Sequence, residues 1–255
     1  MATLTIITGA SKGLGKQLAL QCMKEGDTVA TIERHPDTEL VGIANELGCE
    51  LIQLPVDLTD LNSTVSTVSW LINQASPEQF SSVRLINNAG VLGPVGPISE
   101  ASAPDIDHTI RINFEAPVLI IQRFLELTKN WKAPKRIMNI SSGAARKDVP
   151  GWAMYCSTKA ALDRFSSTVS EDAKIHGIDL KISSVAPGVV DTGMQEQIRS
   201  LSSEDFPQVE RFKTLKEESK LTSPDKAAAK LLAYLDSPAF GQETITDIRN
   251  ISFEG

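Results

Sequence analysis

The sequence predicts one α/β domain in which a doubly wound parallel sheet forms the middle of three layers. Three observations support this prediction. Strand-like and helix-like segments alternate from the first residues onward. The strand-like segments are apolar throughout, as expected for strands that helices cover on both faces. No proline-, glycine- or serine-rich linker and no internal repeat divides the 255 residues, so we predict a single domain over 1–255.

Hydrophobic patterning places the elements in order along the chain. Short apolar runs predict strands at 4–7, 28–32, 50–54, 83–86, 136–140, 180–185 and 243–248. Helical periodicity predicts helices at 16–24, 39–47, 61–72, 103–128, 153–175, 205–216 and 224–235. The segment 103–128 is predicted as one long helix.

Composition narrows the classes of function. The net charge of -7 argues against a nucleic-acid-binding surface, which is normally basic. No apolar run approaches the roughly 18 residues that cross a membrane, and no signal peptide is visible at the N-terminus. The three widely spaced cysteines, Cys22, Cys49 and Cys156, favour free thiols in a reducing, cytoplasmic compartment. The histidines show no metal-binding spacing, so no metal is expected.

A glycine-rich turn, TGASKGLG at 8–15, follows the first predicted strand. Gly9 would permit a tight turn, Gly13 would let the backbone approach a phosphate, and Gly15 would let the helix pack closely on the sheet. A helix N-terminus at this place presents free N–H groups to a pyrophosphate. The turn therefore predicts a dinucleotide site, although a plain strand-to-helix turn with packing glycines is the alternative.

The end of the second predicted strand bears on the choice of dinucleotide. Glu33 would accept hydrogen bonds from the ribose hydroxyl groups of NAD(H). Arg34 would pair with the 2′-phosphate of NADP(H), and Lys12 adds a second cation. We predict NADP(H) and keep NAD(H) open because of Glu33. The alternative for Arg34 is a solvated loop position.

A tyrosine and a lysine lie four positions apart in the predicted helix 153–175. Tyr155 and Lys159 then share one helical face, where the lysine cation would lower the pKa of the phenol. Such a pair can donate a proton to a carbonyl oxygen, whereas a surface pair is the alternative reading. Ser142 follows the fifth strand, at the sheet edge where ligands bind, and would orient that oxygen. Its neighbour Ser141 is the less favoured candidate.

Taken together, these motifs resemble the classical short-chain dehydrogenases/reductases over the full length of the chain. The matching pieces are TGASKGLG at 8–15, Asp57 in VDLTD, NNAG at 87–90, Asn113 in RINFEAP, NISSG at 139–143, YCSTK at 155–159 and APGVVDTGM at 186–194. The resemblance implies a Rossmann-type fold with seven parallel strands. It also implies an oxidoreductase that acts on CH–OH or C=O groups and assembles as a homodimer or homotetramer.

The resemblance further implies roles for the matching residues. The catalytic set would be Asn113, Ser142, Tyr155 and Lys159, with Asn113 supporting a proton relay. A residue at a kink of the helix is the alternative for Asn113. The implied cofactor-binding residues are Gly9, Ser11, Lys12, Gly13, Leu14, Gly15, Arg34, Asp57, Leu58, Asn88, Ala89, Gly90, Tyr155, Lys159, Pro187, Gly188, Val190 and Thr192. Asp57 would meet the adenine, although an aspartate after a strand can instead cap the next helix.

A narrower resemblance, carried by NWKAPKRIMNISSGA, GWAMYCSTKA and APGVVDT, is to the sepiapterin reductase branch and to bacterial benzil reductases that form (S)-benzoin. It implies reduction of one carbonyl of a 1,2-diketone with NADPH. Expected substrate contacts are Ser142, Ala144, Trp152, Tyr155, Met194 and Phe212. The charge-rich segment near 195–221 is expected to form a mobile substrate lid.

Other functions remain open at this point. An NAD-linked alcohol dehydrogenase or a sepiapterin-type reductase of the same family would keep the catalytic set. A sugar-nucleotide epimerase shares the tyrosine–lysine pair but usually carries GxxGxxG and a longer C-terminal domain. A catalytically silent dinucleotide sensor typically lacks the tyrosine or the lysine, which this chain retains.

Overall fold

A seven-stranded parallel sheet runs through the computed structural model, which describes residues 2–251. Its strands are β1 (Ala2–Thr8), β2 (Thr28–Glu33), β3 (Leu51–Pro55), β4 (Phe80–Asn87), β5 (Lys135–Ile140), β6 (Leu180–Ala186) and β7 (Ile245–Asp247). Their spatial order is β3-β2-β1-β4-β5-β6-β7, and each neighbouring pair is parallel. The order reverses between β1 and β4, where the connections diverge and leave a crevice. The predicted doubly wound sheet is confirmed.

Helices cover both faces of the sheet. They are α1 (Gly13–Lys24), α2 (Thr38–Leu47), α3 (Leu61–Gln74), α4 (Ala103–Ile110), α5 (Ala116–Thr128), α6 (Ala153–Ile175), α7 (Gly193–Arg199), α8 (Val209–Glu217) and α9 (Pro224–Asp236). One apolar core lies between the sheet and α1, α2 and α9, and a second lies between the sheet and α3 and α5. These layers confirm the predicted three-layer α/β architecture.

The pleat of β1 explains why the strands are apolar throughout. Ile6 and Ile7 are both fully buried, but they belong to different cores. Successive strand side chains point to opposite faces, so a strand between two helical layers needs apolar residues at every position.

The segment predicted as one helix at 103–128 contains a wider turn. A π-helical turn, Arg111–Glu115, separates α4 from α5. The side chain of Asn113 in this turn accepts a hydrogen bond from the Val91 N–H at 2.9 Å and donates one to the Val91 carbonyl at 2.8 Å. The prediction of one uninterrupted helix was therefore wrong at this turn, because a single widened turn leaves the surrounding apolar pattern almost unchanged.

The observed helices also differ from the predicted ones in smaller ways, at the glycine-rich turn and in the C-terminal third of the chain. Helix α1 begins at Gly13, within the turn, because its early glycines weaken the helical pattern without preventing a helix. Helix α7 was not predicted, and α8 begins at Val209 after the Pro207 position. Within residues 2–251, no helix combines the length and apolar character needed to cross a membrane.

Candidate active site

A cavity of about 630 Å³ lies at the carboxyl edge of the sheet. Residues that follow β1, β2, β4, β5 and β6 line it, so the cavity occupies the crevice where the strand order reverses. Its wall includes Arg34 and Asp57, and also Tyr155 and Phe212. This volume lies within the range of protein pockets that bind small molecules and cofactors.

The glycine-rich turn packs against the backbone with no room for side chains. A Cβ atom on Gly15 would overlap the carbonyl oxygen of Gly9. Gly9 itself has φ +72, and a Cβ there would lie 3.0 Å from the Cα of Ala89. A backbone this closely packed, opening directly into α1, fits a turn that receives a phosphate group.

Asn88 holds the turn in place from the end of β4. Its side-chain amide donates to the carbonyl oxygens of Thr8 and Gly9, at 3.0 Å each. The Thr8 hydroxyl in return accepts from the backbone N–H groups of Asn88 and Ala89, at 3.1 Å each. These bonds join the ends of β1 and β4, the two strands that border the crevice.

The end of β2 brings an acid and a cation to the same part of the cavity. Glu33 is 4% exposed, and one of its carboxyl oxygens accepts from the Thr31 hydroxyl at 2.8 Å. Its other oxygen has no hydrogen-bond partner among residues 2–251. Burial raises the pKa of Glu33 to about 7. Arg34 and Lys12 line the cavity there, and neither makes a close ion pair inside the described part of the chain.

Asp57 does not cap the helix that follows it. Its carboxylate accepts hydrogen bonds from the N–H and the hydroxyl of Thr59, at 2.9 and 2.8 Å. The N-cap of α3 is Asp60, whose side chain accepts from the Ser63 N–H at 3.0 Å. Asp57 therefore lies on the cavity wall with its carboxylate fixed by the turn.

Helix α6 and the end of β5 bring the predicted catalytic groups together. Tyr155 and Lys159 lie on one face of α6, and they are 8% and 4% exposed. The Ser142 hydroxyl lies near the phenol of Tyr155, where it acts to lower the pKa of that group. The Ser142 oxygen also accepts from the Ala144 N–H at 3.1 Å, which fixes the orientation of this side chain.

The phenol and the ammonium group both respond to burial. Burial raises the pKa of Tyr155, and the nearby Ser142 hydroxyl acts in the opposite direction. The pKa of Tyr155 is therefore raised overall, because burial strongly disfavours the phenolate. The sequence had predicted that the neighbouring lysine would lower it. Burial also lowers the pKa of Lys159 to about 8, while the Asp163 carboxylate acts to raise it.

Hydrogen bonds fix the side chains of Lys159, on the cavity wall, and Asn113, behind it. The Lys159 ammonium group donates to the Ile140 carbonyl at 2.8 Å. Asn113 is fully buried, and it also donates to the Thr158 hydroxyl at 3.2 Å. A Cβ on Gly90 would lie 3.4 Å from both the Asn113 amide oxygen and the Lys159 nitrogen. Gly90 thus leaves these two polar groups free of a side chain between them and the cavity.

An aromatic cluster stands beside the Tyr155 hydroxyl. Trp152 stacks on Phe206 with ring centroids 4.6 Å apart, and it lies 5.6 Å from the ring of Tyr155. Phe212 of α8 completes the cluster, 5.6 Å from both Trp152 and Phe206. The cluster gives this end of the cavity an apolar wall next to one polar pair.

The predicted binding residues are all on the cavity wall, and among the predicted residues Asn113 alone lies behind it. Residues that the sequence did not single out also line the wall: Val149, Gln195, Ile198, Gln208, Arg211 and Arg249. Arg249 donates to both carboxylate oxygens of Asp247 and packs on Gly188. No local pattern could indicate Arg249, because the pairing of β7 with β6 brings it to the site. No three potential metal ligands converge within residues 2–251.

Comparison with known families agrees with this geometry. The family model of the short chain dehydrogenases matches residues 3–202. The chain belongs to the short-chain dehydrogenase/reductase family. Members are oxidoreductases that act on CH–OH or C=O groups with a nicotinamide dinucleotide, and the tight glycine turn and the adjoining cavity fit such a cofactor.

Three proteins illustrate what this chain is similar to within the family. It is 38% identical over 243 residues to a benzil reductase ((S)-benzoin forming) of Bacillus cereus, covering 95% of this chain and 98% of that one. It is 28% identical to a sepiapterin reductase of Bos taurus, covering 93% and 91%. The crystal structure of a short-chain dehydrogenase/reductase from Saccharomyces cerevisiae superposes with a TM-score of 0.80 at 24% identity, covering 98% and 97%.

Proposed function

We propose that this short-chain reductase uses NADPH to reduce one carbonyl group of a 1,2-diketone such as benzil to (S)-benzoin. The observation that carries the proposal is the Tyr155–Ser142 hydroxyl pair beside the aromatic cluster. A flat aromatic diketone needs apolar walls and one polar corner that holds the reacting oxygen. The name of the Bacillus cereus relative, at 38% identity, describes the same reaction.

In the proposed mechanism the two hydroxyl groups receive the reacting carbonyl oxygen. Ser142, held by the Ala144 N–H, donates to that oxygen and orients it. Bound NADPH supplies the hydride that the carbonyl carbon accepts. Tyr155 donates its proton to the oxygen as negative charge develops there. The raised pKa of the phenol keeps it in the protonated form that this step requires.

Lys159 and Asn113 assist Tyr155 in the proposed mechanism. One N–H of the Lys159 ammonium group is occupied by the Ile140 carbonyl. The remaining N–H groups can bond ribose hydroxyl groups and pass a proton back to Tyr155 after each turnover. The two hydrogen bonds of Asn113 fix the backbone of Val91, which belongs to the cavity wall near Lys159.

The choice of NADPH is supported by Lys12 and Arg34, two cations that line the cavity and make no close ion pair within residues 2–251. They would pair with a 2′-phosphate. The unpartnered oxygen of Glu33 favours a second candidate, an NAD-linked alcohol dehydrogenase, since a carboxylate accepts hydrogen bonds from ribose hydroxyl groups. The ratio of kcat/KM for NADPH to that for NADH separates the two, and a ratio below one would contradict the NADPH assignment.

We further propose that the segment 195–221 is a substrate lid within one domain. Phe206 and Phe212 of this segment pack on Trp152, so the segment covers the aromatic end of the cavity. Protection of the segment from limited proteolysis by NADPH and diketone together would support a lid. Equal cleavage with and without ligands would contradict it.

We propose that the protein works in the cytoplasm, in keeping with its three free thiols. We also propose that it assembles as a homodimer or homotetramer. Light scattering tests the assembly, and a monomer at micromolar concentration would contradict it.

The substrate assignment is tested with a panel of diketones, pterins and simple ketones, with NADPH oxidation as the readout. Benzil should be among the best substrates, and chiral chromatography should give (S)-benzoin. Turnover of simple ketones without any diketone would contradict the substrate assignment alone. Binding of NADPH without turnover of any carbonyl would favour a silent dinucleotide sensor.

A further inference from the structure

Asp163 is a buried carboxylate to which the proposed mechanism gives no role. It lies one turn of α6 beyond Lys159 and is 4% exposed. One of its oxygens accepts hydrogen bonds from the hydroxyl groups of Ser141, at 2.5 Å, and Ser184, at 2.6 Å. The other oxygen lies 3.3 Å from the Nε of Arg146. Charge-assisted hydrogen bonds are short and strong, so these groups are held tightly together.

Two of the partners flank Ser142 in the chain. Ser141 precedes Ser142, and Arg146 ends the short 3₁₀ turn that follows it. Asp163 therefore attaches both sides of the Ser142 segment to α6, which carries Tyr155. Ser142 and Tyr155 therefore lie on two segments that Asp163 joins directly.

Asp163 is also the carboxylate that acts on the Lys159 ammonium group. The other groups around that ammonium group carry no negative charge. They are the Ile140 carbonyl from β5 and the Asn113 amide from the π-helical turn. A single buried anion thus faces the single buried cation of the catalytic group within the described chain.

The surroundings of Asp163 contain few other charges. Arg146 faces it from the turn after β5, and Asp247 of β7 acts on Arg146 in turn. Strand β6 contributes the uncharged hydroxyl group of Ser184. The charge of Asp163 is therefore directed at Lys159 on its own helix and at Arg146 across the turn.

We propose that Asp163 is a positioning residue for the reductase, which holds Ser142 beside Tyr155 and places a negative charge opposite Lys159. The inference rests on the proposed role of Tyr155 as the proton donor. It adds a residue that touches neither substrate nor cofactor and acts through Ser142 and Lys159.

The first test is Asp163→Asn, which keeps the shape of the side chain and removes its charge. We expect kcat to fall by about tenfold or more, because small displacements of reacting groups are costly, while the Kd for NADPH changes little. Removing a nearby negative charge lowers the pKa of both Lys159 and Tyr155. The alkaline limb of the kcat profile should therefore move to lower pH by about one unit.

A second readout needs no turnover. The chain has 2 tyrosines, Tyr155 and Tyr234, so phenolate formation can be followed by ultraviolet difference absorbance in the enzyme without ligands. Tyr155→Phe and Tyr234→Phe assign the two transitions. The Tyr155 transition should occur at lower pH in Asp163→Asn than in the wild type. This readout stands even if no diketone is a substrate, so failure of the proposed function and failure of this inference are distinguishable.

Matched variants separate charge from packing. Asp163→Glu keeps the charge and should keep the Tyr155 transition near its wild-type pH. Ser184→Ala removes one donor to the same carboxylate on the side away from Ser142; it should lower thermal stability without moving the transition.

Wild-type kcat and an unmoved transition in Asp163→Asn would overturn the inference. If Asp163→Asn does not fold, Ser141→Ala combined with Arg146→Ala decides, because this pair keeps the Asp163 carboxylate and removes both of its attachments to the Ser142 segment. An unchanged kcat in that double variant would also overturn the inference.

Discussion

The carbonyl oxygen of Gly9 occupies the space in which a Cβ atom on Gly15 would stand. The first turn of α1 therefore meets the end of β1 backbone against backbone. This contact decides where the free N–H groups of α1 point, and the pyrophosphate of a dinucleotide depends on those groups.

Gly15→Ala should therefore weaken NADPH binding by about tenfold or more, since α1 must move away from Gly9 to make room for a methyl group. Fluorescence titration measures the Kd, and thermal unfolding measures stability. Gly42→Ala in α2 is the matched control, because a Cβ there meets nothing within 4 Å. Alanine at this helical position should raise stability by up to about 1 kcal/mol. Equal losses of binding in both variants would contradict the role of the Gly9–Gly15 contact.

Tyr155→Phe should lower kcat by about 10²–10⁴-fold and leave the Kd for NADPH within a small factor, because the lost group donates a proton. Stopped-flow measurement of NADPH oxidation checks the rate. Tyr234→Phe is the control: that hydroxyl lies in the core, 3.2 Å from the Ser183 hydroxyl, so its loss should affect stability rather than kcat. Full reductase activity in Tyr155→Phe would refute the mechanism.

Glu33→Gln should change how stability depends on pH. The pKa of Glu33 is raised from 4.5 to about 7, so the folded chain keeps this proton over a range where the unfolded chain has lost it. The resulting stabilisation is complete below the unfolded pKa and is lost as the pH rises through about 7. The fall in free energy of unfolding over this range should be smaller in the glutamine variant. Identical pH dependence in both proteins would contradict the burial of a protonated Glu33.

The same substitution should change cofactor preference. Once ionised, Glu33 would repel a 2′-phosphate held by Arg34 and Lys12 and would accept hydrogen bonds from a 2′-hydroxyl group. At a pH above 7 the variant should bind NADP⁺ more tightly and NAD⁺ more weakly than the wild type, as measured by calorimetry. NAD⁺ lacks the 2′-phosphate and is the internal control for general damage. Parallel changes for both cofactors would argue against a direct role of Glu33.

Phe212→Ala should raise KM for benzil by about tenfold, because an apolar wall of the cavity is lost. A small aliphatic diketone, which does not reach α8, should show a much smaller change, and kcat with it reports whether Tyr155 remains in place. Steady-state kinetics with both substrates measure the difference. An equal rise in KM for both diketones would place Phe212 outside a specific substrate contact.

Much of the fold was predictable because its determinants are local. The alternation of Ile6 and Ile7 between two cores follows from a pleat with apolar residues at every position. The π-helical turn at Arg111–Glu115 was not predicted from the apolar pattern, and the bonds of its Asn113 side chain reach Val91 on another segment of the chain.

The candidate site likewise contains residues that the sequence could predict and residues that it could not. Tyr155 and Lys159 are visible in the sequence because helical spacing puts them on one face. The binding partners of Asp163 come from the residue after β5, from β6 and from a turn, and no pattern along the chain connects them. Glu33 could be named as an acid at the end of β2, but its burial and raised pKa depend on how the side chain is directed.

The stacking of Trp152 on Phe206 gives the protein an optical reporter of its own. Of the 3 tryptophans, Trp70 is 52% exposed, whereas Trp152 is buried in the aromatic cluster against the proposed lid. Separation of the two rings would change the surroundings of one buried indole while Trp70 stayed in water. Opening and closing of the substrate end could therefore be timed from intrinsic emission, without attaching a dye.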